Sequence, residues 1–113
     1  MIAPGETALG ELCISTSKAT RSILVGESAL SQGLLLGRYV RCDNAEFDLL
    51  DEESISRIHA MLLKRNHRIY ANDTASTNEI FQNGQPRTII ELTYGSRVEL
   101  HGGAIVLEWK PLN

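Results

Sequence analysis

Arg97-Val98-Glu99-Leu100-His101-Gly102-Gly103-Ala104-Ile105-Val106-Leu107-Glu108-Trp109 is the stretch that decides the fold class. Val98 and Leu100 alternate with Arg97 and Glu99, and a second alternating run follows from Ala104 to Trp109. A period of two places one set of side chains on a buried face and the other toward solvent, as in a half-buried strand. Between the runs, His101-Gly102-Gly103 supplies residues that tolerate positive φ, so the segment reads as a β-hairpin.

Working outward, the same punctuation recurs. Short apolar or alternating stretches are each cut off by Gly, Asn, Asp or Ser, and helical periodicity is scarce. Strands are expected at 11–17, 21–26, 34–40, 47–50, 58–64, 68–72, 79–82, 87–92, 96–101 and 104–109. Asn83-Gly84 marks a second hairpin and Lys64-Arg65-Asn66-His67-Arg68 a third reversal with a solvated tip. The expected fold is all-β, a sandwich of two mainly antiparallel sheets with about ten or eleven strands. Leu34, Leu35, Leu36, Ile89, Ile90, Val98, Val106 and Trp109 are its expected core. Residues 1–10, with Pro4, Gly5 and Gly10, lack periodicity and read as a flexible lead-in to a domain over 11–113.

Length and composition limit the possibilities. The chain of 113 residues suffices for one core, and 42% hydrophobic with 22% charged residues is the balance of a folded globular domain. No apolar run approaches the length that crosses a bilayer, and the first residues, with Glu6 and Glu11, do not resemble a secretory signal. A cytoplasmic location without membrane contact is expected, with the chain as a possible part of a longer protein. Net charge −3 disfavours nucleic acid as the main ligand, and 5% aromatics leave little for a stacking groove. Cys13 and Cys42 lack metal or redox spacing and read as ordinary thiols. His59, His67 and His101 fall in separate segments without ligand-spaced partners, so no metal or cofactor is implied. No nucleophile elbow, metal triad or nucleotide loop is found, and Asp48, Asp51, Glu52 and Glu53 have no identifiable partner, so no catalysis is expected.

Polar residues gather in two segments between strands, Ser54-Ile55-Ser56-Arg57 and Asp73-Thr74-Ala75-Ser76-Thr77-Asn78. If the strands at 58–64 and 68–72 form a hairpin, both segments emerge at one end of the sheet. A phosphorylated side chain brings about 1.5 to 2 negative charges and several acceptor oxygens. It requires fixed donors and a cation, and Arg38, Ser56, Thr77 and Asn78 supply that set. An arginine can give two parallel hydrogen bonds to one phosphate, which lysine cannot. Taken singly, Arg38 would be an ordinary surface arginine, and Ser56, Thr77 and Asn78 would be turn residues bonding their own backbone.

Taken together, the residues carry a family resemblance. Gly37-Arg38, Ser56-Arg57-Ile58-His59-Ala60, Asp73 through Ser76-Thr77-Asn78, and Asn83-Gly84 resemble, in order and spacing, the signature blocks of forkhead-associated (FHA) domains. Leu92-Thr93-Tyr94-Gly95 with Val98-Glu99-Leu100 is similar to the family's last turn and strand, and the resemblance covers roughly 11–110. It implies an FHA/SMAD-like β-sandwich whose loops at one end bind a Ser/Thr-phosphorylated protein, preferably at phosphothreonine. By the same resemblance Arg38 grips the phosphate, Ser56 and Thr77 donate to it, Arg57 faces phosphate or peptide, and Asn78 holds the peptide backbone. Gly37, His59, Asn83 and Gly84 are implied to support the binding loops.

The chain departs from the family where Glu79 follows Asn78, a position usually held by glycine; Thr74-Ala75 and Gln82 are smaller departures. Glu79 either points outward and selects a basic residue beside the phosphothreonine or weakens phosphate binding by repulsion. The rival to phosphopeptide binding is an FHA fold used as a phospho-independent scaffold or dimerisation domain.

Overall fold

The computed structural model describes residues 4–17, 19–36, 59–74, 79–100 and 105–112. Among these described residues, ten strands and one short helix follow in order: β1 (Ala8–Ser15), β2 (Thr20–Gly26), α1 (Glu27–Gln32), β3 (Leu34–Leu36), β4 (Ala60–Arg65), β5 (Arg68–Asp73), β6 (Ile80–Gln82), β7 (Gln85–Arg87), β8 (Ile89–Leu92), β9 (Arg97–Leu100) and β10 (Ile105–Pro111). They form a six-stranded sheet, β2-β1-β10-β9-β6-β7, and a four-stranded sheet, β3-β4-β5-β8, antiparallel throughout. The chain is thus a β-sandwich of two open sheets.

The alternation expected at 97–109 is the architecture of the six-stranded sheet. β9 pairs with β10 from Leu100 opposite Ile105 to Arg97 opposite Glu108, which turns Val98, Leu100, Ile105, Leu107 and Trp109 inward. β10 continues against β1, with Trp109 opposite Leu12. Gly10 lies beneath the Trp109 indole, where a Cβ would collide with the ring, so close approach dictates glycine there. Leu34, Leu36, Leu62, Ala71, Ile90 and Leu92 complete the core from the four-stranded sheet.

Four sequence expectations need correction. Alternation takes Leu35 and Val106 to half-buried positions and leaves Ile89 53% exposed, so these three do not belong to the interior. The single strand expected over 87–92 is two: β7 belongs to the six-stranded sheet and β8 to the four-stranded one, and the chain changes sheet at Thr88, whose carbonyl accepts from Asp73 N–H at 2.9 Å. Residues 8–10 of the expected lead-in are already part of β1. Finally, α1 occupies 27–32, where no element was expected. A helix this short is not stable alone; it is held by burial of Leu30 and by Glu6, whose carboxylate accepts from Ser28 N–H (3.0 Å) and Ser28 Oγ–H (2.7 Å). That carboxylate satisfies a first-turn donor from 22 residues away. The expected strand 47–50 and the end of 34–40 lie outside the described residues.

Candidate functional site

Strand direction sorts the connections between the two ends of the sandwich. At one end are the turns β4–β5, β6–β7 and β8–β9. At the other are the described strand ends that border residues 16–19, 37–58, 75–78 and 101–104, together with the β7-to-β8 crossing. The described residues that border both polar segments singled out in the sequence lie at this second end.

His59 organises that end. It is fully buried, the only polar side chain so placed among the described residues. Its backbone N–H donates to Leu36 O at 2.8 Å, and its carbonyl accepts from Thr74 N–H at 3.3 Å. Its ring Nε2 lies 2.6 Å from Glu79 O. A carbonyl oxygen only accepts, so Nε2 carries the proton in this contact. Leu36 and His59 flank segment 37–58, while Thr74 and Glu79 flank 75–78. One residue therefore ties all four loop anchors together, bridging the two sheets with a buried polar contact whose partners are satisfied.

Glu79 has φ of +57°, in the left-handed region. The backbone there has the form glycine adopts without strain, and a residue with a Cβ carries about 1 to 2 kcal/mol of cost. The departure noted in the sequence is thus one of backbone strain as well as of charge, and the His59 bond to its carbonyl holds the strained residue in place. Its side chain is exposed.

Of the residues nominated from sequence, Gly37, Arg38, Ser56, Arg57, Thr77 and Asn78 lie outside the described residues, and His59, Asn83 and Gly84 lie within them. The structure sets Asn83 and Gly84 apart from His59: they form the two-residue turn at the far end of β6, with φ of +52° and +77°. Glu99 Oε1 accepts from Gly84 N–H at 3.0 Å, a bond no sequence pattern announced. Sequence reasoning also missed Thr74 as a loop anchor, for which the signal was only its place at the strand's end. A shallow cleft of about 230 Å³ between α1 and the β4–β5 turn, lined by Glu27, Ser31, Lys64, Asn66 and His67, is at the end away from His59. Lys64 and Glu27 already pair across it at 2.7 Å. Cys13 is a buried free thiol, and Cys42 lies outside the described residues.

The FHA domain family model matches residues 34–101, more than half of the chain. The chain belongs to the FHA domain family. No curated protein matches it in sequence. Among solved structures, the fold is shared with FHA-1 of Rv1747 from Mycobacterium tuberculosis, at 21% identity and TM-score 0.67 over 94% of this chain and 100% of that one. A Synechocystis sp. protein superposes with TM-score 0.76 at 20% identity, covering 95% and 99% of the two chains. Mycobacterium tuberculosis EmbR, solved in complex with a low affinity phosphopeptide, matches with TM-score 0.69 and 19% identity over 97% of this chain and 26% of that one. β1, β2 and β10, outside the family match, are thus covered by the structural likeness.

Proposed function

We propose that the chain is a phosphopeptide-binding module that recruits a protein partner after a kinase has phosphorylated it, preferably on threonine, and that it changes no covalent bond itself. The observation that carries this reading is the convergence of Leu36, His59, Thr74 and Glu79, the four anchors of segments 37–58 and 75–78, through the hydrogen bonds of His59. The described residues that border two stretches holding a guanidinium, hydroxyls and an amide lie together, which supports a phosphate receptor built from those stretches. Family membership and the phosphopeptide bound to the EmbR structure support the same reading. Arg38 is the proposed grip on the phosphate, with Ser56, Arg57, Thr77 and Asn78 around it.

The test is titration with a degenerate phosphothreonine peptide library beside unphosphorylated and phosphoserine versions, for wild type and Arg38→Ala. Binding should require the phosphate, favour threonine, and fall by about 2 to 5 kcal/mol in Arg38→Ala. No binding of any phosphorylated pool by the folded domain would sink the proposal in favour of a phospho-independent scaffold.

A further inference from the structure

The strands at the sheet margins are protected unequally. β7, at one margin of the six-stranded sheet, has three residues, one of them Pro86, which has no N–H to offer a neighbour. β8, at a margin of the four-stranded sheet, has four residues and carries Glu91 on its outer face, paired with Arg68. β2, at the other margin of the six-stranded sheet, has seven residues, no proline and one charge, Arg21; among the described residues it is paired on one side only, by β1. Its outward-facing Leu24 is 46% exposed. A long edge with an exposed apolar side chain is a template for another strand, and the guards of proline, lysine and shortness are missing from it; the one irregularity in its ladder is a register shift in β1 between Ala8 and Gly10, opposite Gly26 and Val25.

We infer that β2 is a dimerisation edge, and that its partner is β2 of a second copy of this chain, antiparallel about a two-fold axis through Leu24. A two-fold axis normal to the sheet keeps inner faces on one side, so only residues of like facing can stand opposite each other. Of the registers that satisfy this, the one centred on Leu24 sets Leu24 against its own copy, Ile23 against Val25 of the second copy and Ser22 against Gly26. It also brings Arg21, exposed at one end of the strand, toward Glu27 of the second copy just beyond the other. Glu27 is half-exposed, at 49%, where it meets Lys64. Opposite charge at both ends of the ladder and a covered leucine pair at its centre are the cross-strand pairs that stabilise antiparallel sheets. Registers centred on Ile23 or Ser22 place Leu24 opposite Ser22 or Thr20 and forfeit both features. The result is one continuous sheet of twelve strands, six from each copy.

Sedimentation equilibrium of the whole chain across a wide concentration range, for wild type and Leu24→Lys, tests this. Leu24 is exposed in one chain, so the lysine should leave thermal unfolding of the monomer unchanged while placing two cations together on the axis. Wild type should dimerise, and Leu24→Lys should weaken dimerisation at least tenfold. Independently, Leu24→Cys under mild oxidation should yield a covalent dimer in high proportion, with wild type and its own cysteines as the control. A wild type that stays monomeric throughout, a dimer that Leu24→Lys does not weaken, or a Leu24→Cys chain that cross-links no more than wild type would each overturn the inference.

Discussion

The two ends of the sandwich are built on different physical rules. At one end the chain reverses through tight turns with left-handed residues at their centres: Asn66 and His67 between β4 and β5, Asn83 and Gly84 between β6 and β7. Each follows from the few residues that compose it. At the other end, one buried histidine at the start of β4 holds three further strand termini, from both sheets, by its backbone and its ring. The first end is stabilised piece by piece, whereas the second depends on a single group. A fold with one shared anchor can vary the loops on that anchor without disturbing the rest.

That contrast makes His59 the most sensitive point among the described residues. His59→Ala would leave a cavity and an unpaired Glu79 carbonyl, and should cost about 2 to 4 kcal/mol by urea unfolding. Phosphopeptide affinity should fall with it by at least tenfold, because Glu79 loses the ring bond that ties the start of β6 to His59, while the backbone of residue 59 still holds Leu36 and Thr74. If stability falls and affinity does not, the loops are positioned by something other than the histidine, and the contrast between the ends fails.

Gly84→Ala probes the opposite end. No heavy atom lies within 4 Å of the added Cβ, so the cost is that of a left-handed φ alone, about 1 kcal/mol in chemical unfolding. Phosphopeptide affinity should not change. A loss of binding comparable to that of His59→Ala would show that the ends are coupled through β6 and are not independent.

The smallest effect is expected at Glu79, where the two kinds of construction meet: a left-handed residue, as in the tight turns, placed at the histidine end. Glu79→Gly relieves the strained φ and should raise stability by about 0.5 to 1 kcal/mol. The same variant, titrated with phosphothreonine peptides with and without a neighbouring lysine, separates the two roles open to the carboxylate. Loss of a preference for lysine assigns selection to Glu79, and a uniform gain in affinity assigns repulsion.

Much of this molecule was legible in the sequence where the governing physics is local. Val98 to Trp109 announced their hairpin by a period of two, and Asn83-Gly84 announced its turn by tolerance of positive φ. The polar segments around Ser56 and Thr77, which lie outside the described residues, are grouped in the sequence by their residue types and by spacing that resembles a family's blocks. Local rules also explain the misreadings. Leu34-Leu35-Leu36 and Ile89-Ile90 read whole as core because an apolar run does not say which of its members faces in, and the pleat exposes alternate ones. The helix at Glu27–Gln32 was missed because its cap is the Glu6 side chain, distant in sequence.

The sequence by itself determined an all-β chain, its reversals, and the residue types available to a phosphate, since backbone preference and side-chain chemistry belong to each residue wherever it lies. Only the tertiary structure decided that β1 would lie between β2 and β10, that the chain would change sheets at Thr88, and that His59 would join Leu36, Thr74 and Glu79. Those outcomes depend on which distant segments bury their apolar faces and satisfy their polar groups together, and that choice is made by the whole chain at once.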